Sequence, residues 1–510
     1  LSIATASPRL PLTMNLQFTS TPLRLMFPAV VAFIALVTNG DYLCDFWHHL
    51  ARGRAIVQQG RLVNEDLFTF TVAGQPLVDV NWLTQVGYYE LFQIGGLGLV
   101  QVCNALIIAA TIAIVTWQVW RTSKSAVLAS GAGIIAFLGC WQTLTIRPQS
   151  VSMLFFACEC LALELAGRRR TWLMAPPLLA LVWVNVHGAF PLAWVLVGIH
   201  FTAAVIDGFL KCGWRVIGST QVHALAGCLA ATMLATLVNP YGWHVYQYVG
   251  GTSSLAAQRH IDEWMPPPLG RFIGIMWLAS LVISIVVLAR SRRRLTLLEA
   301  LMLVAFAILA AGSVRMVAWW FLVLAPVLAA SLTQLIPRVL KAGDDDQPAW
   351  SNTICAAALA LMAVICLPGF AKYNPLIHRH RTESDLETVA AQIRSQPRSP
   401  RIFSRFEWGE YLGWTLAGKA TVFMDGRIEI IPDDVWCNYA CITCGGPNWQ
   451  QILDRYRVDA LILDATYHAR TGLLAEVEHS PHWRRIDQQG PAVVFARTRE
   501  HSAAIVSASE

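Results

Sequence analysis

Seven polar side chains at breaks between long apolar segments are of types that could do chemistry. Asp41, Asp45 and His49 lie in Gly40-Asp41-Tyr42-Leu43-Cys44-Asp45-Phe46-Trp47-His48-His49. Arg147 precedes Pro148, His187 precedes Gly188, Glu263 sits in Asp262-Glu263-Trp264, and Arg315 follows Ser313. A carboxylate can take a proton from a hydroxyl, and a guanidinium, always charged, can grip a phosphate with two parallel hydrogen bonds. Charges at a membrane boundary are costly unless paired or hydrated, so these residues are candidates for function. Singly, each has an ordinary alternative: arginines at helix ends snorkel to headgroups, Glu263 caps a helix end, and His187 is satisfied between helices. Together, an acidic loop, two arginines, a histidine and a glutamate on one face predict a shared site.

The elements that must position them cross a membrane. Of 510 residues, 55% are hydrophobic and only 14% charged, with mean hydropathy +0.49, a composition that soluble globular proteins do not reach. Charge is also uneven, since 32 of the 70 Asp, Glu, Lys and Arg residues lie after position 374. This divides the chain into a membrane part, 14–373, and a soluble part, 374–510. Charge-poor windows long enough to span a bilayer fall at 24–41, 97–119, 125–143, 148–166, 171–186 and 189–207, then at 222–238, 272–289, 296–312, 316–336 and 351–369. The run Leu25 to Gly40 has no small-residue cleavage site after it and predicts a retained helix rather than a signal peptide. Residues 1–13, before Met14, are given no structural role.

Basic residues test the count of eleven helices. They fall on alternate connections: Arg9 and Arg24; Arg121 and Lys124; Arg168 to Arg170; Lys211 and Arg215; Arg290 to Arg294; Arg338 and Lys341. Cytoplasmic loops are enriched in Lys and Arg, so the pattern predicts a cytoplasmic N-terminus and an extracytoplasmic C-terminal domain. It also accounts for much of the net charge of +6 without invoking nucleic acid. The seven polar residues fall on the other, outer connections, of which the first, 41–96, is long.

The sequence Asp45-Phe46-Trp47-His48-His49-Leu50 followed by Gly53 and Gly60, the Asp66 segment, Gly74-Gln75-Pro76 and Asn81-Trp82-Leu83 resembles the first periplasmic loop of GT-C membrane glycosyltransferases. The resemblance implies a polytopic α-helical, GT-C-like membrane protein of the bacterial inner membrane. It also implies a polyprenyl-phosphate-linked sugar as donor. An acidic residue of this loop is catalytic in that superfamily, a role that falls to Asp45, with Asp41 as the lesser candidate. Ile261-Asp262-Glu263 and Arg315 are further similar to the external-loop glutamate motif and the diphosphate-contacting arginine of the oligosaccharyltransferase catalytic subunit. Two features depart from it. Ile146-Arg147-Pro148-Gln149-Ser150 lacks that family's Asp-x-Asp metal motif, so no bound divalent metal is expected. Glu407-Trp408-Gly409-Glu410-Tyr411 stands where an acceptor-reading Trp-Trp-Asp-Tyr-Gly would be, so glycosylation of asparagine sequons is not expected.

In this setting Asp45 would act as base on the acceptor hydroxyl, and Arg147 and Arg315 would hold the leaving phosphate, giving inversion at the anomeric carbon. Glu263, His187, His49 and Asp41 would contact the substrate. The acceptor is a glycan, lipid or protein. Two other readings fit the same scaffold: a surface-polysaccharide polymerase or ligase, and a non-enzymatic glycan- or lipid-binding membrane protein. Charged mid-helix residues, which favour transport, are nearly absent from the windows.

The soluble part alternates helical and strand patterns: helices over 382–395, 410–417 and 449–457, strands over 401–406, 420–424, 460–462 and 492–497. This predicts a small α/β domain. Asp425-Gly426-Arg427 reads as a turn or a binding edge. Nine of the twelve cysteines lie in or beside apolar segments. The cluster Cys437-x3-Cys441-x2-Cys444 lacks a fourth ligand at zinc spacing, which favours a disulfide between two of its members over zinc.

Overall fold

The computed structural model describes residues 19–38, 45–141, 144–336, 349–370, 381–395, 397 and 399–498. The membrane part holds α1 (Ser20–Thr38), α2 (Asp45–Gln59), α3 (Trp82–Ser123), α4 (Ala126–Cys140), α5 (Gln149–Ala166), α6 (Ala175–Trp183) and α7 (Pro191–Cys212). It continues with α8 (Thr220–Ala235), α9 (His244–Gln258), α10 (Phe272–Arg290), α11 (Leu297–Gly312), α12 (Val314–Leu335) and α13 (Trp350–Ile365). A helix stands in each of the eleven apolar windows. Six helices among the described residues are long and apolar enough to cross a membrane, and the chain is a polytopic helical membrane protein.

Local chemistry sets several ends. Ser125 caps α4 by accepting from Leu128 N–H, and Thr296 with Glu299 forms a capping box at the start of α11. α3 bends at Gly95-Gly96, where Gly96 takes φ +63°, a conformation that costs glycine nothing. The turns before the bend are tied to the connection between α6 and α7, with Trp82 Nε1 donating to Asn185 Oδ1 and Thr84 Oγ1 to Val186 O, and those after it run into the bundle core through Ala105, Ile108, Ile112 and Val115.

Within the long connection between α1 and α3, Asp45–Gln59 form the helix α2. Phe46, Leu50 and Ile56 recur at helical spacing along α2 and are buried. The low mean hydropathy of this segment hides an amphipathic helix.

The C-terminal part contains α14 (Arg381–Arg394), β1 (Arg401–Ser404), α15 (Phe406–Thr415), β2 (Thr421–Val422), α16 (Asp433–Thr443) and α17 (Trp449–Arg455). β3 (Ala460–Asp464), α18 (Ala465–Thr471), α19 (Leu473–His479), β4 (Trp483–Gln489) and β5 (Ala492–Arg497) complete it. The strand order is β2-β1-β3-β5-β4, with β1 parallel to both neighbours and β5 antiparallel to both of its own. Alternate strand residues face opposite ways. Ile402, Ile462 and Val494 share a core with Phe46, Trp47, Tyr88 and Tyr411, whereas Phe403, Leu461, Leu463 and Phe495 pack on the other face with Val435 and Leu453. One sheet face therefore lies over α15, α2 and the outer turns of α3. β4, α16, α18 and α19 have no counterpart in the sequence expectation: β4 is a polar edge strand, α16 is obscured by its cysteines, and α18 and α19 are each only seven residues long.

The outer connection also joins this sheet. Thr69 bridges Val422, Phe70 N–H donates to Val422 O at 3.1 Å, and Thr71 Oγ1 donates to Phe423 O at 2.6 Å. Below the strands, Arg427 is buried between Asp66 and Asp425, 2.6 Å from the latter. Removing one partner of a buried ion network leaves uncompensated charge. Arg427→Met should therefore lower the unfolding free energy by about 3 kcal/mol or more, read as a drop in melting temperature of the purified protein; an unchanged melting temperature would deny the triad this role.

Cys437, Cys441 and Cys444 are free thiols, correcting the expected disulfide. Cys437 and Cys441 lie one turn apart on α16, where side chains point in parallel rather than toward each other.

Candidate active site at the outer ends of the helices

Arg147 precedes α5, His187 lies between α6 and α7, Glu263 precedes α10, and Arg315 opens α12. Because successive helices run in opposite directions, these positions share one end of the bundle, which α2 crosses with Asp45 as its first residue. The structure links four of them in a chain of ion pairs. Arg147 Nη2 is 2.8 Å from Asp45 Oδ2, and its Nη1 donates to both Glu263 oxygens at 2.7 and 2.9 Å. Arg315 Nε stands 3.4 Å from the same carboxylate, with its guanidinium 4.8 Å over the Trp264 ring. Ser313 fixes the junction, capping α12 through Arg315 N–H and donating its hydroxyl to Glu263 O at 2.9 Å.

The histidines flank this chain. His49, one turn beyond Asp45, is buried and accepts at Nδ1 from the Gln85 amide at 3.2 Å; that amide also donates to Asp79, which pairs with Arg52 at 2.5 Å. Burial lowers the His49 pKa to about 4, although Asp45 and Asp79 pull the other way. His187 accepts at Nδ1 from Ala189 N–H at 3.3 Å, with Ser152 Oγ 2.9 Å away. Its pKa is held well below the usual value by burial and then by the charges of Arg315 and Arg147. Both rings are neutral near pH 7 and carry their proton on Nε2. Asp41 lies outside the described residues.

The depressed His49 pKa gives a pH prediction. Between about 6.5 and about 4 the unfolded chain takes up this proton and the folded one does not, so His49 lowers stability as pH falls through that window. His49→Gln should lose less melting temperature than wild type between about pH 7 and about pH 5. Equal losses would remove His49 from the account.

Three residues at this end were not assigned to the site from sequence. Glu410 on α15 is 2% exposed, and Asp425 and Arg427 follow β2 in the Asp-Gly-Arg turn. Glu410 has Asp45, Asp425, Arg147 and Arg427 as charged neighbours. The available signal was its setting, a carboxylate between Trp408 and the pair Tyr411-Leu412 on an otherwise apolar helix face. The Glu263 segment is tied to the same turn, since Arg259 donates to the carbonyls of Ile428 and Ile431, each at 2.6 Å.

A divalent metal does not fit this donor set. Arg147 stands between Asp45 and Glu263, so both carboxylates face a guanidinium, and among the described residues no three His, Cys, Asp or Glu side chains are grouped to hold a metal. A cavity of about 670 Å³ lined by Gln118, Glu164, Arg168 and His200 lies at the opposite end of the helices and shares no residue with the ion-pair chain.

Comparison with solved structures gives the fold a place. The chain is similar to the oligosaccharyltransferase of Archaeoglobus fulgidus, at 12% identity and TM-score 0.55, over 94% of this chain and 74% of that one. It is also similar to ArnT from Cupriavidus metallidurans bound to undecaprenyl phosphate, at 14% identity and TM-score 0.53, over 94% of this chain and 98% of that one. The chain has the GT-C fold. No family model and no curated protein sequence matches it. The similarity to these GT-C proteins covers both the helices and the C-terminal sheet, although at this identity it speaks for architecture alone.

Proposed function

We propose that this GT-C protein is an inverting glycosyltransferase that moves a sugar from a polyprenyl-phosphate-linked donor to an acceptor hydroxyl at the extracytoplasmic face of a bacterial inner membrane. One observation carries the reading: the Glu263 carboxylate lies between the guanidiniums of Arg147 and Arg315, with Asp45 on the far side of Arg147. Two arginines around one anion make a place that a phosphate can take over, and a base stands beside it. In the proposed step Asp45 removes the acceptor hydroxyl proton as the oxygen attacks the anomeric carbon. The bond to the lipid phosphate breaks on the opposite side, and Arg147 and Arg315 stabilise the charge left on the phosphate. Glu263 is displaced by the incoming phosphate. Neutral His187 and His49 flank the ion-pair chain without adding charge to it.

Native mass spectrometry of the full chain in nanodiscs tests this directly. Undecaprenyl phosphate should bind and undecaprenol should not compete with it; equal binding of the two lipids would refute a phosphate site.

The orientation is testable with the native thiols. Cys437 and Cys444 are exposed on the C-terminal part, and Cys212 is exposed at the other end of the bundle. A membrane-impermeant maleimide should label Cys437 and Cys444 in intact spheroplasts and Cys212 only after lysis. The reverse pattern would place the site in the cytoplasm.

A further inference from the structure

The ion-pair chain leaves one buried polar group at this site unaccounted for. Glu410 is 2% exposed, and neither of its carboxyl oxygens has a hydrogen-bond partner among the described residues. It is aimed at the candidate site. Its Oε1 packs so closely on Gly426 that a β-carbon there would collide with it, and the same β-carbon would stand 3.9 Å from Asp45 Oδ1. The two carboxyl groups, Asp45 on α2 and Glu410 on α15, thus approach the same point of the Gly426 backbone.

A buried carboxyl without a partner is costly, and sites that bind polar ligands are where such groups are kept. Arg147 and Arg427 each hold two other carboxylates, and neither donates a hydrogen bond to this one. Burial first, then the Asp45 and Asp425 carboxylates, hold the Glu410 proton on well above the usual carboxylate range. A neutral carboxyl offers one O–H donor and one carbonyl acceptor, the complement of a hydroxyl, which also gives and takes one hydrogen bond. It is also no nucleophile, so this second carboxyl preserves the inverting outcome.

We propose that Glu410 is a sugar-binding residue, reaching in from the C-terminal part to hydrogen-bond a hydroxyl of the lipid-linked donor sugar beside Asp45. The inference rests on the glycosyltransferase reading and adds to it the group that recognises the sugar. It makes the C-terminal sheet and α15 one wall of the sugar site, so the membrane part alone would bind the lipid phosphate without selecting its sugar.

The test compares full-length protein in nanodiscs binding undecaprenyl phosphate hexoses and sugar-free undecaprenyl phosphate. Wild type should prefer a hexose-bearing lipid. Glu410→Leu should lose about tenfold or more of that preference while binding the sugar-free lipid as before, which also shows that it is folded. Glu410→Gln, a neutral group with both donor and acceptor, should keep most of the preference. Dicyclohexylcarbodiimide, which attacks protonated carboxyls in apolar surroundings, should modify Glu410, and a hexose-bearing lipid should protect it better than the sugar-free one. Preference retained in Glu410→Leu, or equal protection by the two lipids, would overturn the inference while leaving the phosphate site standing. Failure of the sugar-free lipid to bind wild type would instead refute the glycosyltransferase reading beneath it, and this inference with it.

Discussion

Asp45→Asn should fold as wild type and transfer sugar about 10²-fold or more slowly, the scale on which a general base contributes. The amide is isosteric and its carbonyl can still accept from Arg147 at the 2.8 Å position that the carboxylate now occupies. It cannot take the acceptor proton. Loss of the ion pair is a modest cost here, because the Asp45 side chain is 32% exposed and Arg147 Nη1 keeps its hydrogen bonds to both Glu263 oxygens. The variant therefore separates chemistry from folding: its melting temperature and undecaprenyl phosphate binding should stay near wild type while turnover falls. Near wild-type turnover would remove Asp45 from the base role.

Arg315→Lys should weaken binding of the lipid phosphate about tenfold or more although the charge is kept. A guanidinium presents a planar fork that matches two phosphate oxygens, whereas an ammonium is a point charge on a flexible stem. The Arg315 guanidinium is also stacked 4.8 Å over Trp264, a contact that a lysine cannot reproduce as a planar group, and Ser313 sets its backbone through the helix cap. If Arg315 only snorkelled to headgroups, lysine would serve equally well and donor affinity would not change.

The membrane part was readable because a bilayer makes polar residues conspicuous. Arg147, His187, Glu263 and Arg315 stand at breaks in apolar windows, where solvation cost sets them apart, and the alternation of basic connections places them at one end of the bundle. Glu410 had no such contrast, since a carboxylate in a soluble α/β unit is ordinary until its burial is known. Its proximity to Asp45, like the ion pair of Asp66 with Arg427, joins residues more than 300 positions apart, and no periodicity in one chain reports such a contact. The helical form of α2 was masked for another reason: its apolar face packs on the outer turns of α3 and on α15, while the rest of its surface carries charges that read as loop. The strands of the sheet were legible where both faces are buried, as in β3 and β5, and not at the polar edge strand β4. The cysteine cluster misled because spacing alone does not reveal that two of the thiols share one helix.

The central claim is that one pocket joins Asp45 to a phosphate held by Arg147 and Arg315. A cryo-electron microscopy structure of the full-length protein with undecaprenyl phosphate tests it most directly. Phosphate density is expected within hydrogen-bonding reach of both guanidiniums, adjacent to Asp45, with the Glu263 carboxylate withdrawn from the position it holds 2.7 Å from Arg147. Phosphate bound elsewhere on the bundle, with Arg147 and Arg315 still paired to Glu263, would contradict it.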